Sequence, residues 1–210
     1  MSAHFSIRSG LAVTAVTAAL AVTCAVGGTM AWLNAATPAV NNTLTLGSVD
    51  LTLDEAQLGG DSGARTTAGN QYTDLEPGVL YDKDPVVHVA AGSRPCYLFI
   101  KVTDGFFSQE ATPAQLTGYK TIDAQIKANG WAAYTPAKAE PGCRYYLYGG
   151  ATPVFDPAAA KSLDLPVFTG FAINTDLAGG TVLSGISVKA GAIQSDGFAD
   201  ADAAFAALGL

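Results

Sequence analysis

Histidine, cysteine, methionine and tryptophan are scarce in this chain, with two, three, two and two copies among 210 residues. Two histidines, His4 and His88, cannot build a three-histidine zinc centre, and the H-E-x-x-H pattern does not occur. Charge is also thin: 14% of residues are charged, with 11 Lys and Arg against 18 Asp and Glu, for a net charge of −7. That sign repels phosphate backbones and no basic cluster offsets it, so a nucleic-acid partner is disfavoured. What the chain has instead is apolar and turn-forming. Hydrophobic residues make up 49%, with 23 Gly and 10 Pro, which describes a packed, turn-rich protein and not a disordered one. The length suits one compact domain plus a short extra segment.

The extra segment is at the start. Ser9 to Leu33 contains no charged residue, follows Arg8, and leaves through small residues at Gly27-Gly28-Thr29-Met30-Ala31. This is the layout of a secretory signal peptide, residues 1–31, with cleavage after Ala31. An uncleaved membrane anchor and lipoprotein processing at Cys24 are the alternatives. Cleavage removes Arg8 and Cys24, taking the charge to −8 and leaving Cys96 and Cys143. An even pair in an exported chain is a disulfide candidate, and a loop of this size would restrict the unfolded state by about 4 kcal/mol in the entropy model. Two buried thiols are the other reading.

Past the leader, apolar positions alternate from Asn42 to Leu53 but change parity between Leu46 and Val49, which predicts a strand bulged at Gly47-Ser48. Residues 58–70 are nearly all small or polar and read as a mobile surface loop, and Glu76-Pro77-Gly78 reads as a turn. Pro85 to Ala90 is a strand candidate with proline at its first residue. The strongest strand signal is Cys96 to Val102, with Leu98, Ile100 and Val102 on one face and Tyr97, Phe99 and Lys101 on the other. Leu116, Tyr119, Ile122 and Ile126 recur at helical spacing and predict one helix over 113–129, weakened by Gly118.

Short strands are expected at 131–134, 144–148, 166–174 and 184–194, with a Gly179-Gly180 turn and a Pro/Ala-rich excursion at 151–163. Asp200 is placed to cap a C-terminal helix over 201–208 that buries Phe205 and Leu208. Many short strands with one or two inserted helices describe a mainly β chain, an antiparallel β-sandwich.

Four blocks carry a resemblance: GGTMAWL at 27–33, VNNTLTLGSVDLTLDE at 40–55, LEPGVLYDKDPVVHVAAGSRPCYLFIKV at 75–102 and AIQSDGFADADAAFAAL at 192–208. In this order they resemble the TasA-like biofilm-matrix proteins and camelysins, secreted bacterial proteins with a SipW-type signal peptide. They cover the leader and about a third of the remaining chain. The resemblance implies a jelly-roll sandwich over 47–210, export from a Gram-positive cell after cleavage by a dedicated signal peptidase, and assembly into extracellular fibres. It also implies that residues 32–46 complete a neighbouring subunit's sheet, which places Trp32, Val40, Leu44 and Leu46 on the donor strand. Pro38 interrupts that segment, and folding back onto its own sheet is the alternative.

Reactive clusters are sparse. Gly60-Asp61-Ser62-Gly63 copies a serine-protease nucleophile motif, but His88 follows the serine where that class places its histidine well before it, so the tetrapeptide reads as a loop. A camelysin-like zinc protease would have to draw on His88, Cys96, Cys143 and carboxylates, and His88 reads better as an exposed strand residue. Asp82 with Asp84, and Asp196 with Asp200 and Asp202, lack calcium-loop spacing and read as a turn and a helix cap. Leu165 to Gly170 superficially matches a wall-sorting signal but has no apolar, basic tail after it. Tyr145, Tyr146 and Tyr148 could form a glycan platform or pack inward.

The sequence therefore points to a non-enzymatic, secreted structural protein of the cell surface or biofilm matrix, without cofactor, that self-associates or joins other matrix proteins. It contacts the membrane only through its leader. A monomeric glycan- or protein-binding adhesin and a secreted protease are the rivals.

Overall fold

The computed structural model describes residues 49–150 and 162–210, and the backbone of two short strands at 34–36 and 154–155. The strands are β1 (Asn34–Ala36), β2 (Leu51–Ala56), β3 (Arg65–Thr66), β4 (Leu80–Asp82), β5 (Val86–Val89), β6 (Cys96–Thr103), β7 (Trp131–Tyr134), β8 (Cys143–Tyr148), β9 (Val154–Phe155), β10 (Leu163–Pro166), β11 (Gly170–Ala172) and β12 (Val188–Gln194). Helices α1 (Ile122–Ala128) and α2 (Ala201–Leu208) and a 3-10 turn at Gly105–Ser108 complete the described elements. The chain is mainly β, with every strand pair antiparallel. One sheet runs β1-β12-β6-β8-β7 with β9 also on β6, a second runs β10-β5-β2-β3, and β11 pairs with β4 in a third.

The two larger sheets face one another. Leu51 and Leu53 of β2 and Val87 and Val89 of β5 share a core with Leu98, Ile100 and Val102 of β6 and Ala190 and Ala192 of β12. The period of two that put Leu98, Ile100 and Val102 together in the sequence is what aims them at the opposing sheet. The other parity is covered too. Tyr97 and Phe99 pack with Tyr145, Ile193, Phe205 and Leu208, so α2 lies over the far face of the first sheet. That is why β6 reads as continuously apolar from Cys96 to Ile100.

α2 begins and ends as the sequence requires. Asp200 Oδ1 accepts from Ala203 N at 2.8 Å, Asp202 sits in the positive first turn, and Gly209 closes the helix at φ 65°.

Other expectations need correction. The helix predicted over 113–129 is confined to Ile122–Ala128. Gly118 adopts φ 82°, which ends any helix there, and the α1 start is fixed instead by Thr121, whose side chain accepts from Ala124 N, and by the buried Glu110, which accepts from Ile122 N at 2.6 Å. The polar stretch 58–70 is tied down: β3 pairs with the end of β2, and Asn70 Oδ1 accepts from Leu58 N at 2.8 Å.

The strand expected over 166–174 divides at 167–169 into β10 and β11, and the last long strand starts at Val188, after an irregular Ser184 to Ser187 held to Thr103. The bulge expected at Gly47-Ser48 lies outside the described residues.

Candidate functional site

β2, β5 and β10 lie side by side, and their outward positions collect charge. His88 on β5 stands opposite Asp164 of β10 and Thr52 of β2. Its Nδ1 lies 2.7 Å from Asp164 Oδ1 and its Nε2 2.9 Å from Asp54 Oδ1, a diagonal neighbour on β2. Asp54 also accepts from Arg65 Nε at 2.6 Å, and Arg65 reaches Asp84 Oδ2 at 3.0 Å. Both ring nitrogens face carboxylate oxygens, which only accept, so the arrangement favours the doubly protonated ring over the neutral one. Burial alone would lower its pKa, but hydrogen bonds to Asp54 and Asp164 outweigh that and raise it. The same contacts hold Asp54 below the usual carboxylate range against the effect of its burial. Only the protonated ring satisfies both carboxylates at once, and that form offers no lone pair to a metal or a proton.

The inward side of the same strand holds a second cluster. Leu51 and Leu53 are followed at the same parity by Glu55, which is 5% exposed. Glu55 Oε2 pairs with the Lys83 ammonium, and Oε1 accepts from Asn70 N at 2.8 Å and Asn70 Nδ2 at 3.0 Å. Beside the ion pair is a cleft of about 130 Å³, bordered by Thr67, Ser187 and Val188 among others. Elsewhere, Glu110 is buried, and its pKa is raised by that burial in spite of hydrogen bonds from Tyr119 Oη at 2.6 Å and Ile122 N. Among the described residues, no group of three or more His, Cys, Asp and Glu is arranged to hold a metal ion.

The edges of the first sheet form a third feature. β1 lies antiparallel on β12, with Asn34 opposite Ile193, Ala35 opposite Ala192 and Ala36 opposite Gly191. This ladder spans three residue pairs, whereas β12 on β6 spans seven. Of the ladders described on β12, the one with β1 is the shorter. Among the described residues β7 forms the opposite border and pairs with β8.

Of the sequence-selected residues, Ala31, Trp32, Val40, Leu44 and Leu46 lie outside the described residues. Cys96 and Cys143 are not brought together. Cys143 stands opposite Thr103, seven residues along β6 from Cys96, which is about 23 Å at strand spacing. A disulfide needs Cα atoms within about 7 Å. The proposed bridge is therefore corrected: these two cysteines are not bonded to one another.

Tyr145 and Tyr146 are 3% and 1% exposed, packed against Phe205 and into the intersheet core respectively, so the tyrosines do not present a flat glycan platform. Ser62 is on an exposed turn. Asp84 binds Arg65 and Ala56 N, Asp200 caps α2, and Asp202 accepts from Tyr134 Oη at 2.6 Å.

The His88 cluster was missed because its carboxylates are 34 and 76 residues away in sequence and meet only through strand pairing. Glu55 left a signal, since it shares the inward parity of Leu51 and Leu53. Comparison with protein-family models, with curated proteins and with solved structures finds no match for this chain.

Proposed function

We propose that this chain is an exported structural protein of the bacterial surface or biofilm matrix, of the TasA and camelysin type, and that it polymerises by strand exchange at the β12 edge. The observation that carries this reading is the position of β1. The first described residues after the apolar leader form a three-residue strand at a sheet border, on the longer β12. A strand at a sheet border is exchangeable for the same segment of a second copy, which would make the same ladder. Head-to-tail exchange of that kind does not close, so it yields filaments.

The jelly-roll topology belongs to the same proposal. It is supported by neighbours far apart in sequence, such as β12 beside β6 and β10 beside β5, which require long crossing connections. Cleavage after Ala31 would leave two residues, Trp32 and Leu33, ahead of β1, where it is least constrained by preceding chain.

Negative-stain microscopy of the protein without its leader tests the reading. Fibres are expected from the chain beginning at Trp32, and their loss on deletion of residues 32–46. Fibres that persist unchanged after the deletion would refute strand exchange.

A further inference from the structure

The inward face of β2 ends in a carboxyl group whose two oxygens are occupied by nitrogens of different chemistry. Glu55 Oε2 holds the primary amine of Lys83 as an ammonium, and Oε1 accepts from the carboxamide nitrogen of Asn70 at 3.0 Å. Amine and carboxamide thus each hold one oxygen of the same carboxyl group. Glu55 and Lys83 are 5% and 9% exposed, so little water competes. Asn70 Oδ1 accepts from Leu58 N at 2.8 Å, a donor that polarises the carboxamide carbonyl and would stabilise negative charge developing on that oxygen. The remaining contacts of Asn70 Nδ2 and N, to Ala56 O at 2.7 Å and to Glu55 Oε1 at 2.8 Å, fix its position.

We propose that Lys83 and Asn70 condense within the folded chain to an amide cross-link, with Glu55 carrying the protons. Glu55 takes a proton from the Lys83 ammonium, and the freed amine attacks Cγ of Asn70, forming the Nζ–Cγ bond. Glu55 then returns its proton to Nδ2, the Cγ–Nδ2 bond breaks with its electron pair on nitrogen, and ammonia leaves. The excess proton on Nζ departs with it as ammonium. Charge is conserved and no atom changes oxidation state, so neither oxidant nor reductant is needed. Folding supplies the driving geometry, because holding both partners on one carboxyl group replaces an encounter in solution by a unimolecular step.

Glu55 serves as shuttle and not as acyl acceptor, because an ionised carboxylate is a poor electrophile and its consumption would leave no group to move the protons. The cross-link would close the segment from Asn70 to Lys83, which contains the Glu76-Pro77-Gly78 turn and β4, onto the second sheet. This inference does not depend on fibre assembly.

Intact-mass spectrometry of the folded wild-type chain tests it. The expected mass is one ammonia below that of the sequence. Tryptic mapping should yield a branched peptide joining the Asn70 and Lys83 segments, with no cleavage after Lys83. Glu55→Gln and Lys83→Arg should each restore the full sequence mass. Asn70→Asp keeps an acyl group at the position and should lose one water instead, which separates loss of chemistry from loss of folding. A folded wild-type chain at full sequence mass would overturn the proposal. So would a Lys83–Glu55 linkage, or a cross-link that still forms in Glu55→Gln.

Discussion

His88 makes the stability of this protein depend on pH in a direction opposite to that of its many carboxylates. Its pKa is raised in the folded state, because hydrogen bonds to Asp54 and Asp164 outweigh the effect of burial. A raised pKa means that the stabilisation is complete below the unfolded value of about 6.5 and is lost as pH climbs through the folded value. The side chains of His88 and Asp54 are 27% and 20% exposed, while Asp164 is 71% exposed and its contact is screened. The first pair is therefore assigned about 1 kcal/mol and the second about 0.3 kcal/mol.

Urea unfolding of wild type and His88→Gln over a pH series from about 6 to about 8.5 isolates this contribution, because Asp54 remains ionised throughout that range. Wild type should lose about 1 kcal/mol across the series, a midpoint shift of about 0.5 M urea for a typical slope. The variant should be weaker at the acid end and nearly flat. A variant that keeps the wild-type slope, or a wild type that gains stability with rising pH, would refute the reading that Asp54 and Asp164 raise the pKa of His88.

Two further outcomes follow from close packing and from the cysteines. A Cβ built on Gly170 would stand 2.7 Å from the carbonyl oxygen of Tyr81, a backbone atom across the β11–β4 ladder, so Gly170→Ala should cost about 1–3 kcal/mol in chemical unfolding. A reducing agent should leave the thermal midpoint unchanged, and peptides from unreduced protein should contain Cys96 and Cys143 unlinked to each other. A midpoint drop matching the roughly 4 kcal/mol of a bridged loop would contradict the β6–β8 register.

The elements that were legible in the sequence are those whose pattern answers to one local cause. Cys96 to Val102 announces a central strand because both parities are apolar, and both are covered, one by the second sheet and one by α2. The C-terminal helix is equally plain, since Asp200, Phe205, Leu208 and Gly209 each sit where cap, core and stop chemistry require them. The helix over 113–129 failed because the periodicity of Leu116 and Tyr119 arises from another cause: Leu116 packs beside Tyr119 and Ala172 in a small separate cluster, while Gly118 turns the chain. The charged clusters were hidden for a different reason. A carboxylate such as Asp164 acquires meaning only when β10 is laid on β5 in one register, and no local pattern fixes that register.

The place of β12 in the first sheet sets an order on maturation. Residues 188–194 fill the position next to β6, and α2, which seals the aromatic side of that sheet, comes later still. A chain made from its N-terminus delivers these parts last. Until then β6 lacks its longest partner, and Tyr97 and Phe99 face water. The first sheet therefore closes only once the C-terminal residues are available, through contacts between parts of the chain far apart in sequence.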